Sequence, residues 1–135
     1  MIDKNILDDN SKATDGAIVI GKHEATFLFK NKSTDELSER IYQLLIKKGY
    51  KLEVGSKFNA TYGKGNKIGR ILLGAFIKRF VFSVKISSIG GVTTFIFAKA
   101  GKGYMGGAIG VAQVKQEYNS IVGLLENYHI KTTEE

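Results

Sequence analysis

The sequence contains neither cysteine nor proline. The absence of cysteine excludes disulfides, thiolate metal sites and cysteine nucleophiles, and it is typical of a reducing compartment. Proline makes up about 5% of an average chain, so its absence leaves the 16 glycines to form most of the turns. We therefore expect a cytoplasmic protein whose turns depend on glycine.

Long apolar runs are also missing. The longest stretch is Ile71–Ile77, which is interrupted only by Gly74 and is bounded by Arg70 and Lys78. A membrane-spanning helix needs about 20 apolar residues, so we expect no spanning segment. The N-terminus is acidic and lacks the basic start and apolar stretch of a secretory signal.

The overall composition is that of a globular domain. The chain has 135 residues, of which 43% are hydrophobic and 24% are charged. A chain of this size and composition can bury a core without disulfides or metals. We predict a mobile acidic arm over residues 1–15, a single domain over residues 16–130 and a frayed C-terminus over residues 131–135.

A first helix is predicted over residues 34–48. Ser33 and Glu36 have the spacing of a capping box, and Gly49 stands where helices commonly end. Between these signals, apolar residues recur at steps of three and four and predict one buried stripe. The stripe consists of Leu37, Ile41, Leu44 and Leu45.

Alternation of apolar and polar residues predicts the strands. A second helix is indicated over residues 108–128, where apolar residues recur at helical spacing. The predicted strands cover residues 17–20 (an edge strand), 25–30, 50–54, 58–62, 80–86 and 92–98.

This order of elements, β-α-β-β-x-β-β-α, predicts an α+β fold. Strands linked by hairpins, with helices before and after them, favour an antiparallel sheet of four to six strands with both helices on one face. Small ligand-binding domains of the helix-grip type share this order, as do saddle-shaped sheets. The likeness is one of fold only and implies no function.

The charge is distributed unevenly along the chain. Residues 40–102 contain 13 Lys and Arg but a single acid, Glu53, which gives this middle zone a net charge of +12. The flanking zones, residues 1–39 and 103–135, are both net acidic. Because the middle zone cannot neutralise itself, we expect a strongly positive surface region and a polyanionic partner. A lysine-rich surface that only keeps the protein soluble is the alternative.

The segment Lys67–Phe80 combines apolar residues with flanking cations. As a helix of about 21 Å it is too short to span a bilayer but suited to lie in the interface. Each cation near an anionic leaflet adds about 1 kcal/mol of attraction. The candidate membrane- or anion-binding residues are Lys64, Lys67, Arg70, Ile71, Phe76, Lys78, Arg79 and Lys102.

The same segment has a second interpretation. A helix that is apolar nearly all round is usually buried. One side would then pack on the sheet, and the other would lie in a homo-oligomer interface through residues 67–80 or under the N-terminal arm. An irregular strand is also possible, because Gly69 and Gly74 weaken a helix.

Two glycine-rich stretches resemble nucleotide-binding loops only superficially. Gly101, Gly103 and Gly106 have dinucleotide-motif spacing, but no second parallel strand follows them, so a tight turn is favoured. A helix N-terminus near Lys102 would still suit an isolated anion. The loop 63–67 lacks the Gly-Lys-Ser/Thr ending of a phosphate-binding loop and is interpreted as a hairpin tip.

Catalytic and metal-binding patterns are absent from the sequence. His23 and His129 stand in polar sequence surroundings, with no metal-like spacing to another ligand. Glu53 is either a buried general base or, as we prefer, an exposed strand residue paired with a neighbouring lysine. We predict no catalytic residues, no metal and no cofactor, and hence a protein that is not an enzyme.

The sequence therefore predicts a non-enzymatic binding or accessory domain. We expect its basic zone to engage an anionic membrane surface or lipid headgroups, with the protein peripheral at the inner face of the membrane. One alternative is sequence-independent nucleic-acid binding, with bases stacked on exposed aromatic rings. Another is a carrier of a small apolar ligand in an enclosed pocket between the sheet and the last helix.

Overall fold

The computed structural model describes residues 17–65, 79–100 and 107–133. The predicted arm over residues 1–15 therefore lies outside the described residues. The elements are β1 (Ile18–Ile20), β2 (Glu24–Lys30), α1 (Thr34–Lys47), β3 (Lys51–Ser56), β4 (Asn59–Lys64), β5 (Phe80–Ile89), β6 (Val92–Lys99) and α2 (Gly107–Thr133).

The strands form one six-stranded antiparallel sheet in the order β1-β2-β6-β5-β4-β3. Strands β3, β4, β5 and β6 follow one another as an antiparallel meander, and β2 pairs with the free side of β6. The turn between β5 and β6 is Gly90-Gly91, whose φ angles are 59° and 83°. Glycine is favoured at both positions because two-residue hairpin turns of this kind require positive φ.

The α+β prediction is confirmed, including the strand order along the chain and the two helices on one face of the sheet. Several boundaries differ by a few residues; β5, for example, runs to Ile89 rather than ending at Ile86. Strand β3 runs to Ser56 rather than ending at Val54, and α2 continues past Tyr128 to Thr133. Polar residues at element ends carry no periodic signal, which is why the sequence pattern missed these extensions.

Helix α1 forms as its caps predict. The Ser33 hydroxyl accepts a hydrogen bond of 3.0 Å from the Glu36 amide, and the chain leaves the helix through Gly49 at a φ of 97°. Leu37, Ile41 and Leu45 are buried against the sheet. The predicted stripe is therefore the face that holds α1 to the core.

Helix α2 is held to the sheet by stacked aromatic rings. The ring centroids of Phe82 and Phe97 lie 4.9 Å apart, and the Tyr118 ring stacks on Phe97 at 5.9 Å. Tyr50 adds a tilted contact with Phe82 at 5.8 Å. All four side chains are buried. These rings fill the space between the middle of the sheet and the first half of α2.

His129 is buried, contrary to the polar surroundings predicted from the sequence. Its exposed fraction is 2%, and its ring meets the edge of Phe29 at a centroid distance of 4.7 Å. Nε2 lies 2.8 Å from the carbonyl oxygen of Leu28. The reason is the extension of α2, which places His129 one turn beyond buried Leu125, on the same inner face.

The Tyr62 hydroxyl is the buried polar group that generates a first prediction. Tyr62 has an exposed fraction of 0%, and its hydroxyl makes no hydrogen bond within the described residues. An unsatisfied buried hydroxyl costs about 1–3 kcal/mol. We expect Tyr62→Phe to raise the free energy of unfolding by about 1 kcal/mol, measured by urea denaturation at neutral pH. A destabilised variant would contradict this prediction.

The same hydroxyl predicts a loss of stability at alkaline pH. Burial raises the pKa of Tyr62 from 10.0 to about 12. Between pH 10 and 12 the unfolded chain therefore releases a proton that the folded chain retains, so stability falls as the pH rises. Unfolding measured across this range should show a shallower decline for Tyr62→Phe than for the wild type. An unchanged slope would mean that Tyr62 ionises normally in the folded state.

Candidate functional site

One end of the sheet collects an excess of positive charge. It is the end at which β2 and β5 begin and β4 and β6 finish, as the pairs Lys64 with Phe80 and Glu24 with Ala98 show. We call it the basic end. Its cations include Lys22, Lys47, Lys48, Lys51, Lys64, Arg79, Lys99 and Lys115, and the described carboxylates there include Glu24, Glu53 and Glu117.

Arg79 is bound internally by Glu53. Its two terminal nitrogens donate to the two carboxylate oxygens at 2.6 and 3.1 Å, and Nη1 also donates to the Gly65 carbonyl at 3.3 Å. The Arg79 side chain is 8% exposed. Glu53 is thus paired with an arginine, a partner that was not named from the sequence. This bidentate pair joins the start of β5 to the edge strand β3.

The position of Glu53 depends on two local features of the sheet. The register between β3 and β4 shifts between Leu52 and Val54, so Glu53 sits at a bulge. Its carboxylate then lies over Gly63 of β4, where a Cβ atom on Gly63 would collide with it. Glycine is therefore needed at position 63 for the carboxylate to reach Arg79.

Lys64 is engaged by a second carboxylate. Its Nζ lies 3.5 Å from Oε2 of Glu117 on α2, and the same oxygen accepts a 2.6 Å hydrogen bond from the Tyr50 hydroxyl. Burial, together with this bond, raises the pKa of Tyr50. The group borders an open cleft of about 380 Å³, which is also lined by Phe80 and Gln113. These contacts of Glu117 with Lys64 and Tyr50 connect α2 to the sheet.

Three other lysines come from elements that are brought together around Tyr118 and have no such partners among the described residues. Lys22 lies between β1 and β2, Lys99 ends β6 and Lys115 lies on α2; we call them the lysine triad. None forms an ion pair with any residue that the structure describes. Burial is the main cause that lowers the pKa of Lys99, and repulsion from Lys115 and Lys22 lowers it further.

The triad is held in place by contacts of its neighbours. The Lys99 amide donates to the His23 carbonyl at 2.9 Å, which fixes the start of β2 to the end of β6. The Tyr118 hydroxyl donates to the Gly21 carbonyl at 2.9 Å, which fixes α2 to the same turn. Nζ of Lys99 lies 5.2 Å from the centroid of the Tyr118 ring.

At the opposite end of the sheet, cations near the start of α1 have carboxylate partners. Lys32 pairs with Glu36 at 3.1 Å, and Lys57 pairs with Glu39 at 2.6 Å. A cleft of about 540 Å³ there is lined by charges of both signs. The acids in the first turns of α1 thus pair with cations near them. At the basic end Glu53 and Glu117 pair with Arg79 and Lys64, and the described lysines of the triad form no ion pair.

Of the predicted site residues, Lys64 and Arg79 are described, and both contact carboxylates of the domain. The lysine triad was not predicted. Its members are far apart in sequence, and only the basic character of the middle zone pointed towards Lys99. The other predicted residues, Lys67, Arg70, Ile71, Phe76, Lys78 and Lys102, lie outside the described residues.

The aromatic residues near the basic zone are largely used by the core. Tyr50, Tyr62, Phe80 and Phe82 are each at most 8% exposed. Phe58 is 39% exposed, but it lies in the turn between β3 and β4, away from the basic end. At the basic end, the described residues therefore offer no row of open rings on which bases could stack.

Comparisons with protein-family models, curated proteins and solved structures find no match to this chain. Among the described residues, no group of three or more His, Asp or Glu side chains is placed to hold a metal ion. Neither described helix combines the length and apolar character needed to cross a bilayer.

The pair between Arg79 and Glu53 generates a second prediction. Arg79→Gln removes two charge-assisted hydrogen bonds from a carboxylate that is only 26% exposed. We expect a loss of about 2 kcal/mol in the free energy of unfolding, measured by urea denaturation. Lys51→Gln, at an exposed position on the same strand as Glu53, should change it by less than about 0.5 kcal/mol.

A double variant separates this pair from general effects of charge. If the two side chains stabilise each other, Arg79→Gln combined with Glu53→Gln should cost less than the two single changes added together. Strictly additive losses would show that the ion pair contributes no coupling energy.

Proposed function

We propose that this protein is a non-enzymatic binding domain that attaches to an anionic membrane surface through the basic end of its sheet. The main observation in support is the lysine triad, whose charges have no carboxylate partner among the described residues. Lys47 and Lys51 add two exposed cations at the same end. An excess of like charge gathered on one end attracts a polyanionic surface in a defined orientation.

The magnitude of this attraction suits reversible attachment. Each lysine near an anionic leaflet contributes about 1 kcal/mol, and the effect falls off within a Debye length of about 8–10 Å. Only lysines on the end that faces the membrane therefore contribute fully. Lysine, a hydrated point charge, suits such diffuse attraction better than bidentate recognition.

Stable attachment also needs an apolar contribution. Gly65 and Arg79 lie at the basic end, so the sequence between them leaves and rejoins the described chain at this end. That sequence supplies Ile71 and Phe76 among Lys67, Arg70 and Lys78. The predicted contact through Lys67–Phe80 and the predicted peripheral location both stay part of the proposal.

The alternatives receive less support from the described residues. Nucleic-acid binding by stacking needs exposed rings on the lysine surface, and the aromatic residues there are buried. A carrier needs an enclosed apolar pocket, and stacked rings occupy the space between the mid-sheet and α2. A homo-oligomer through residues 67–80 stays a prediction.

Two charge-matched double variants test the proposal by vesicle flotation. Lys47→Glu with Lys51→Glu changes a helix end and a strand at the basic end, and Lys85→Glu with Lys131→Glu changes a strand and a helix end elsewhere. All four lysines are exposed, and each double change lowers the net charge from +7 to +3. We expect the first variant to bind phosphatidylserine vesicles at least about 30-fold more weakly than the wild type.

The second variant should stay within about threefold of the wild type, since its lysines lie beyond the Debye length from the surface. Phosphatidylcholine vesicles serve as the neutral control, and Ile71→Asp tests the apolar contribution separately. Equal losses in both double variants would show attraction by net charge without orientation. If the wild type does not float with anionic vesicles even at low salt, the proposal fails and nucleic acid becomes the partner to test.

A further inference from the structure

We propose that the lysine triad is a specific site for the phosphate group of a phosphate monoester. The membrane setting of this site rests on the proposed function, whereas the site itself depends only on Lys22, Lys99 and Lys115. Free phosphate compounds and the headgroup of a lipid such as phosphatidic acid present the same terminal phosphate. The shared chemistry is a compact dianion with three acceptor oxygens.

Three separate elements bring the triad together. Lys22 comes from the turn before β2, Lys99 from the last position of β6 and Lys115 from α2. The hydrogen bonds from the Lys99 amide to His23 and from the Tyr118 hydroxyl to Gly21 hold these elements in register. The three lysines therefore come from separate elements that the fold brings together around Tyr118, and they are not a run of lysines along one strand.

Lys99 is the central member. It pairs in the sheet with buried Phe82, so its side chain leaves the core-facing side of β6, and it is partly buried over the Tyr118 ring. Burial and the nearby charges of Lys115 and Lys22 both disfavour its protonated form and lower its pKa. A bound anion would reverse this cost, because it screens the repulsion and accepts hydrogen bonds from the ammonium groups.

The chemistry around the triad favours phosphate over other anions. Glu24 lies close enough to Tyr118 to act on its hydroxyl electrostatically, and it is the described acid nearest in sequence to Lys22. With Glu24 as the neighbouring acid, three cations would retain a net charge of about +2, which matches a dianion better than a carboxylate or phosphodiester monoanion. No arginine fork is present among the three, so recognition is by charge and size.

Binding of glycerol 3-phosphate tests the site without a membrane. Calorimetric titration at constant ionic strength should show saturable binding to the wild-type chain. Lys99→Met keeps the apolar stem over Tyr118 but removes the charge, and we expect it to weaken binding about tenfold or more. Lys22→Met should act in the same direction, and Lys51→Met, at the same end but outside the triad, should stay within about twofold.

Vesicles of matched charge then distinguish the two sources of phosphate. Preference for phosphatidic acid over phosphatidylserine, lost in Lys99→Met, identifies the lipid headgroup as the ligand. Binding of glycerol 3-phosphate with no flotation at all supports the site with a soluble ligand and contradicts the membrane function. Absence of saturable glycerol 3-phosphate binding, or equal binding by Lys99→Met, overturns the site even if the protein still floats through its other lysines.

Discussion

The stacking of Tyr118 on Phe97 and Phe82 is the contact on which the rest of the basic end depends. It fixes the first half of α2 against the ends of β5 and β6. Lys115 and Glu117 both precede Tyr118 and leave the helix on opposite flanks, Glu117 towards Tyr50 and Lys64 and Lys115 on the side of Lys99. This apolar contact thus places Glu117 beside Lys64 and leaves Lys115 without an ion-pair partner among the described residues.

This arrangement shows why net charge along the sequence is an incomplete guide to surface charge. The middle zone has a single acid, yet at least three of its cations are paired in the fold. Arg79 pairs with that acid, Lys64 with Glu117 from the acidic C-terminal zone and Lys57 with Glu39 from the acidic N-terminal zone. Conversely, Lys22 comes from the acidic N-terminal zone and joins the triad. The electrostatic potential that a partner meets therefore depends on which charges pair in the folded structure. The net charge of each sequence zone limits this potential but does not determine it.

The features that could be predicted from sequence are those with local causes. The Ser33 cap, the stripe through Leu37 and the alternation around Phe82 each depend on residues within a few positions, and each lies where the pattern placed it. The bond between Tyr50 and Glu117 spans 67 positions, and the triad joins residues from position 22 to position 115. Contacts between such distant residues leave no periodic pattern in the sequence. His129 shows the same limit, because its burial follows from how far α2 extends rather than from its neighbours in sequence.

At the basic end, cations that are paired with carboxylates stabilise the fold, whereas cations without such partners are the ones that can bind an external anion. The guanidinium of Arg79 has its hydrogen bonds directed to Glu53 and Gly65, so an external anion would have to replace contacts that already stabilise the fold. The ammonium of Lys99 lies in a setting that disfavours its charge, so an anion there improves the electrostatics of the folded state instead of competing with them. A diffuse attraction brings the basic end to an anionic surface, and the triad is where that attraction can become a specific contact. Orientation and specificity would then both involve these three lysines, whose elements come together around Tyr118.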